Sequence, residues 1–234
     1  MSSKLCDFFS SYRGKVDLFC LQEVFNNGVT NRKIYSEAKM DIADDIGSAL
    51  INYSDYYAPT QSNDECLACF VSNKYEVKKE ESVFVFRWLD ALIPGDAKTL
   101  GRNIQSLQIE NEGKIFAVIN FHGLWNGQGK GDSDDRISQS QKIINYLKTL
   151  DCEYILCGDF NLLPDTKSLK MFEEFGLRNL IKEYGITSTR TSLYKPPIRY
   201  ADYVFVTPGI KVNNFEVLPD EVSDHNVLLL DFEI

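Results

Sequence analysis

The chain has 234 residues, a formal net charge of −9, and 44% hydrophobic against 25% charged residues. That balance provides apolar side chains for one large continuous core over 1–234 and excludes a disordered chain. The acidic charge argues against long nucleic acids, whose phosphates are met by Lys and Arg, although a local basic pocket would override it within the ~8 to 10 Å reach of charge at ordinary salt.

Leu5, Phe8, Phe9 and Tyr12 at helical spacing predict an amphipathic helix over 2–12, followed by a buried strand in VDLFCLQ at 16–22. Ile34, Ala38, Ile42, Ile46, Ala49 and Leu50 predict a helix over 30–52, with Lys39, Asp41, Asp44 and Asp45 on its outer face. Strands follow at 66–72, 82–88, 103–109 and 114–121. A Gly- and Asp-rich loop, GLWNGQGKGDSDD at 123–135, gives way to a helix through Ile137, Ile143, Ile144 and Leu147. The last third predicts a strand at 153–157, helices near 167–184, and strands near 202–206, 211–217 and 226–232. Many strands interleaved with a few helices predict an α/β fold in which two packed mixed sheets are covered by helices.

The six cysteines lie mostly in apolar runs and are expected to be reduced. Cys66 and Cys69 fall in one strand, where a three-residue separation points them to opposite faces and argues against a shared zinc. No stretch approaches the ~20 apolar residues of a membrane span, and MSSKLCDFFSSY has no signal-type apolar core. The expectation is a cytoplasmic protein with no obligate protein partner.

Polar residues recur where apolar strands end. Glu23 follows VDLFCLQ, His122 follows IFAVINF, and Asp159 and Asn161 follow YILCG. Asp202 and the pair Asp224, His225 stand instead at strand starts, and reach the same rim if those strands run the opposite way. Both histidines of the chain lie at such boundaries. Taken singly, each residue has a plainer reading: a solvated carboxylate, a Gly-Asp turn, or a hydrogen-bonded His. Together they offer the oxygen ligands of Mg²⁺, which uses one or two carboxylates and completes its shell with water and substrate phosphate.

LQEV at 21–24, NFHG at 120–123, GDFN at 158–161, ADYVF at 201–205 and SDH at 223–225 resemble, in order and approximate spacing, the motifs of the endonuclease/exonuclease/phosphatase family. The resemblance implies a four-layer α/β sandwich and Mg²⁺-dependent hydrolysis of a phosphate ester, with Mn²⁺ an alternative ion and either a small molecule or nucleic acid as substrate. It implies that Glu23 binds the metal and that Asp224 completes the metal region. Asp159 would activate water, Asn161 would stabilise the charge on phosphorus, and His122 would hydrogen-bond the scissile phosphate. His225 would be the acid/base imidazole held by Asp202, and Arg102 would contact phosphate. Family members open with a strand carrying a metal-holding Asn, whereas this chain begins at the helix that would follow it. The implied sandwich is therefore short of its N-terminal strand, and a catalytically impaired binding protein on the same fold stays open beside the enzyme. Trp125, Asn126, Lys130 and the neighbouring Arg136 make the loop at 123–135 the candidate for substrate selection.

Overall fold

The computed structural model describes residues 2–26, 42–61, 65–93 and 96–234. In chain order the elements are α1 (Ser2–Tyr12), β1 (Leu18–Phe25), α2 (Ile42–Ala49), β2 (Tyr53–Pro59), β3 (Glu65–Ser72), β4 (Glu76–Phe86), β5 (Arg102–Asn111) and β6 (Lys114–His122). There follow α3 (Asp134–Leu147), β7 (Glu153–Asp159), α4 (Lys167–Glu174), β8 (Arg178–Asn179), α5 (Leu180–Glu183), β9 (Asp202–Val206), β10 (Lys211–Val217) and β11 (Leu228–Glu233).

Six strands form a mixed sheet in the order β4-β5-β6-β7-β9-β8, in which only the β6 and β7 pairing is parallel. A second layer consists of an antiparallel trio, β1-β3-β2, and an antiparallel pair, β10-β11. The trio alternates its side chains between two cores, as a strand buried on both faces must. Cys69 and Val71 of β3 join the core shared with the six-stranded sheet, whereas Cys66, Ala68 and Phe70 join a second core under α1 and α2. Phe8 and Phe9 of α1 and Ile46 of α2 fill that second core. Residues of α3, α4 and α5 pack against the six-stranded sheet, which gives the helix, sheet, sheet, helix layering expected for two packed sheets.

The sheet order makes β6 and β7 central, and their sequences, KIFAVINFH and EYILCGD, are the near-continuous apolar runs that central strands require. Cys66 and Cys69 do face opposite cores, and all six cysteines are free. β2 escapes sequence reading because YSDYYAP has little apolar periodicity and lies at a half-exposed sheet edge. β1 runs three residues further than the apolar pattern, so Glu23 belongs to the strand itself. Of the helix expected at 30–52, the segment Ile42–Ala49 is helical, and the part before it lies outside the described residues. No helix among the described residues is long and apolar enough to cross a membrane.

Candidate active site

Strand register assembles the first three site residues in a row. On the parallel ladder His122 sits opposite Asp159, and on the next, antiparallel, ladder Asp159 sits opposite Asp202. A strand end and a strand start thus meet at one rim because β9 runs against β7. Gly158 makes the close approach: at φ 138° a Cβ there would run into the Phe121 carbonyl of β6. The Asp159 carboxylate accepts the Asn161 N–H at 2.7 Å, and Asn161 holds a left-handed φ of 54°, a conformation that Asn adopts more readily than most residues with a side chain.

His122 is buried, and its orientation is fixed from behind. The Arg102 guanidinium, which is always a donor, lies 2.9 Å from Nδ1, so Nδ1 accepts and the neutral ring carries its proton on Nε2. Nε2 faces the rim, 3.8 Å from Glu23 Oε1 and 3.9 Å from Asp159 Oδ2. The same Arg102 nitrogen lies 3.3 Å from Glu65 Oε1, and both side chains are buried. Arg102 therefore stands behind His122 and holds it; the phosphate contact that the family resemblance implies for Arg102 is a separate expectation.

His225 is joined to the row by Asp202, whose Oδ1 lies 2.8 Å from Nδ1, while Nε2 lies 3.7 Å from Asp159 Oδ2. Burial opposes a charge on this imidazole, but the Asp202 and Asp159 carboxylates outweigh it and raise its pKa to about 9. Asp159 is held below the usual carboxylate range: burial works to raise it, and His225, His122 and Lys130 lower it further than that. A backbone scaffold fixes Asp202 and His225. The Thr189 hydroxyl accepts the Asp202 N–H at 3.2 Å, and Arg190 bridges to His225 through the main chain.

Glu23 lies in a β-bulge of β1 with φ 57°, and its side chain is 65% exposed at the mouth of the site. Asn120, fully buried, ties this strand to β6: its amide donates to the Leu21 carbonyl at 2.9 Å and its carbonyl accepts from Gln22 at 2.6 Å. Among the described residues, two groups of side chains could hold a cation, Glu23 with Glu65 and His122, and Asp159 with Asp202 and His225, each with donor atoms within 4.8 Å of one another. Four of these six ligands are carboxylates, the donor chemistry of a hard divalent ion. Asp202 Oδ2 is buried with no hydrogen-bond partner among the described residues. Asp224 joins neither group; its Oδ2 pairs with Arg190 at 2.7 Å.

The loop at 123–133 borders the row. Arg136, from the first turn of α3, turns its guanidinium back onto the loop and donates to the carbonyls of Leu124, Gly129 and Gly131. It is a buried clamp on the loop. Asp132 accepts from the backbone N–H of Lys167 and from Ser168, pinning the other side of the loop to α4. Between the clamps, the Lys130 ammonium is buried. A cleft of about 490 Å³ on the outer side of the loop is lined by Phe86, Arg87, Lys98, Leu124, Asn126 and Gln128 among others, and it contains none of the rim residues.

Sequence reading missed Glu65 and Arg190. Glu65 opens the apolar run CLACFV, the same strand-start position that flagged Asp202, and would have been found by applying that criterion to every strand. Arg190 lies in the irregular segment STRTS, where no period marks it.

Residues 2–225 match the profile described as the Endonuclease/Exonuclease/phosphatase family. The curated Protein angel of Drosophila melanogaster is 28% identical over 109 residues, 46% of this chain and 30% of that protein, so the match spans under a third of the relative's length. Among solved structures, an endonuclease/exonuclease/phosphatase from Bacteroides vulgatus superposes with a TM-score of 0.75 at 20% identity, covering 100% of this chain and 90% of the other. A mannosyl-6-phosphatase of Bacteroides thetaiotaomicron gives 0.76 at 17% identity, covering 99% and 91%. TDP2 of D. rerio, in complex with a single-strand DNA product, gives 0.74 at 14% identity, covering 100% and 91%.

Proposed function

Because this chain belongs to the endonuclease/exonuclease/phosphatase family, we propose that it is a Mg²⁺-dependent hydrolase of phosphate esters, working through the rim residues gathered by β1, β6, β7, β9 and the segment before β11. The observation that carries the proposal is the register row of His122, Asp159 and Asp202, with His225 closing on the last two.

Glu23 and the neighbouring carboxylates are the residues to hold Mg²⁺, with Mn²⁺ able to replace it and Asp224 one step out through its pairing with Arg190. When bound, the ion neutralises charge on the phosphate oxygens. Asp159, held ionised by its cationic neighbours, is the acceptor for a proton from the attacking water. The Nε2–H of His122, aimed at the rim by Arg102, donates to a non-bridging phosphate oxygen. Asn161 supplies a side-chain amide at the same oxygens, where preorganised donors contribute roughly 3 to 4 kcal/mol each to lowering the barrier. His225 carries its proton at neutral pH and has an Nε2–H to offer to phosphate or to the leaving oxygen. Asp202 orients that imidazole.

The mannosyl-6-phosphatase and the DNA-bound relative span the two substrate classes, a small phosphate ester and a nucleic acid. A net charge of −9 favours the small ester. The test is turnover of phosphomonoesters and phosphodiesters before and after chelation, with Mg²⁺ restored, beside Asp159→Ala. Turnover that needs the metal and is lost in the variant supports the reading, and a rate that survives both changes refutes it. A folded protein with no turnover and only weak metal binding would favour the impaired binding protein instead.

A further inference from the structure

Lys130 is 3% exposed, and its Nζ has no hydrogen-bond or ion-pair partner among the described residues. A buried, unpaired ammonium is costly, so its retention needs a reason. The loop is constructed to keep it there. Arg136 grips the carbonyls of Gly129 and Gly131 on either side of it, and the Leu163 N–H donates to the Lys130 carbonyl at 2.8 Å.

A second cation lies close by. Arg190 is 7% exposed, spends one nitrogen on Asp224, and leaves its buried Nε without a partner. Both cations face the ring of Tyr194, Arg190 at 4.1 Å and Lys130 at 5.9 Å from its centroid. Burial depresses the Lys130 pKa, and Arg190 adds to that, while Asp159, Asp202 and Asp224 act in the opposite sense. None of the three forms a hydrogen bond or ion pair with Lys130: Asp159 accepts the Asn161 N–H, Asp202 holds His225 through Oδ1, and Asp224 pairs with Arg190. Spare donors on two buried cations, beside the rim and rigidly held, fit an anion that arrives with the substrate.

We propose that Lys130 and Arg190, around Tyr194, form a subsite for a second phosphate of the substrate, adjacent to the phosphate that is cleaved. The inference rests on the phosphoesterase reading and narrows it to a small molecule carrying two phosphate groups. The division of labour follows the chemistry of the cations, with Lys130 a compact point charge and Arg190 a directional donor already oriented by Asp224 and Tyr194.

The test is calorimetry with Mg²⁺ present, on protein carrying Asp159→Asn so that bound ligands persist. The probes are two pairs that differ by one phosphate at different spacings, inorganic phosphate with pyrophosphate and fructose 6-phosphate with fructose 1,6-bisphosphate. At least one doubly phosphorylated member is expected to bind about tenfold or more tighter than its partner, the gain of a charge-assisted contact. Adding Lys130→Met removes that preference and leaves affinity for the singly phosphorylated member within about twofold. Lys130→Arg, which keeps the charge, retains part of the preference and serves if the Met variant fails to fold. Equal binding within both pairs, or a preference untouched by Lys130→Met, overturns the subsite and makes Lys130 a counter-ion of the rim carboxylates alone. A short oligodeoxynucleotide competing as well as the preferred bisphosphate overturns the small-molecule assignment. Turnover by the wild-type chain is measured separately: its absence with the preference intact sinks the hydrolysis reading and spares the subsite, and turnover without preference does the reverse.

Discussion

Replacing Asp202 with Asn removes the larger of the two carboxylate effects on His225 while preserving the shape of the side chain. In the wild-type protein the imidazole is raised from 6.5 to about 9. At about 1.36 kcal/mol per unit, that difference of about 2.5 corresponds to about 3 kcal/mol in favour of the charged ring. In Asp202→Asn, burial and Arg190 still work against the charge and only Asp159, 3.7 Å from Nε2, supports it. The His225 titration is therefore expected to fall from about 9 to about 6.5 or below. The assay is a proton NMR titration of metal-free protein, made simple by the chain having only two histidines. Because the folded value lies above the unfolded one, this group's contribution to stability is fully present below pH 6.5 and is lost as the pH rises through about 9. The variant should lose that pH dependence, read as urea midpoints at pH 6 and pH 9. A wild-type His225 titrating near 6.5, or one indifferent to Asp202→Asn, would refute the electrostatic argument.

Two further substitutions test the scaffold. Arg102→Met strips the buried Glu65 carboxylate and His122 Nδ1 of a shared donor, and is expected to cost roughly 3 kcal/mol in urea unfolding; a loss below about 1 kcal/mol would contradict the positioning role. Gly158→Ala sets a Cβ against the Phe121 carbonyl at φ 138°, and should destabilise by more than about 2 kcal/mol, with a neutral result in the same assay disproving the close approach of β6 and β7.

The rim was legible because strand ends leave a mark in sequence. An apolar run broken by a single acid or imidazole identified Glu23, His122, Asp159 and Asp202, and the antiparallel direction of β9 brings the strand-start residue level with the others. The alternation of Cys66 and Cys69 was equally legible, since a strand has a fixed period of two. What sequence left open is held by side chains acting across loops. Arg136 reads as a cation of a functional loop, and only the fold reveals that its guanidinium is consumed by three backbone carbonyls. The support that Arg102 gives His122 is likewise visible only in the fold. Arg190 has no local pattern, because its partners Asp224 and Tyr194 come from a distant segment and from an irregular turn.

The most direct test of the central claim is the fate of water oxygen, followed by mass spectrometry of the phosphoryl product formed in ¹⁸O-labelled water. Attack of an activated water at phosphorus predicts one labelled oxygen per cleavage in that product, formed with Mg²⁺ present and absent after chelation or in Asp159→Ala. Product carrying no label, or label incorporated at the wild-type rate without metal or without Asp159, would contradict the account.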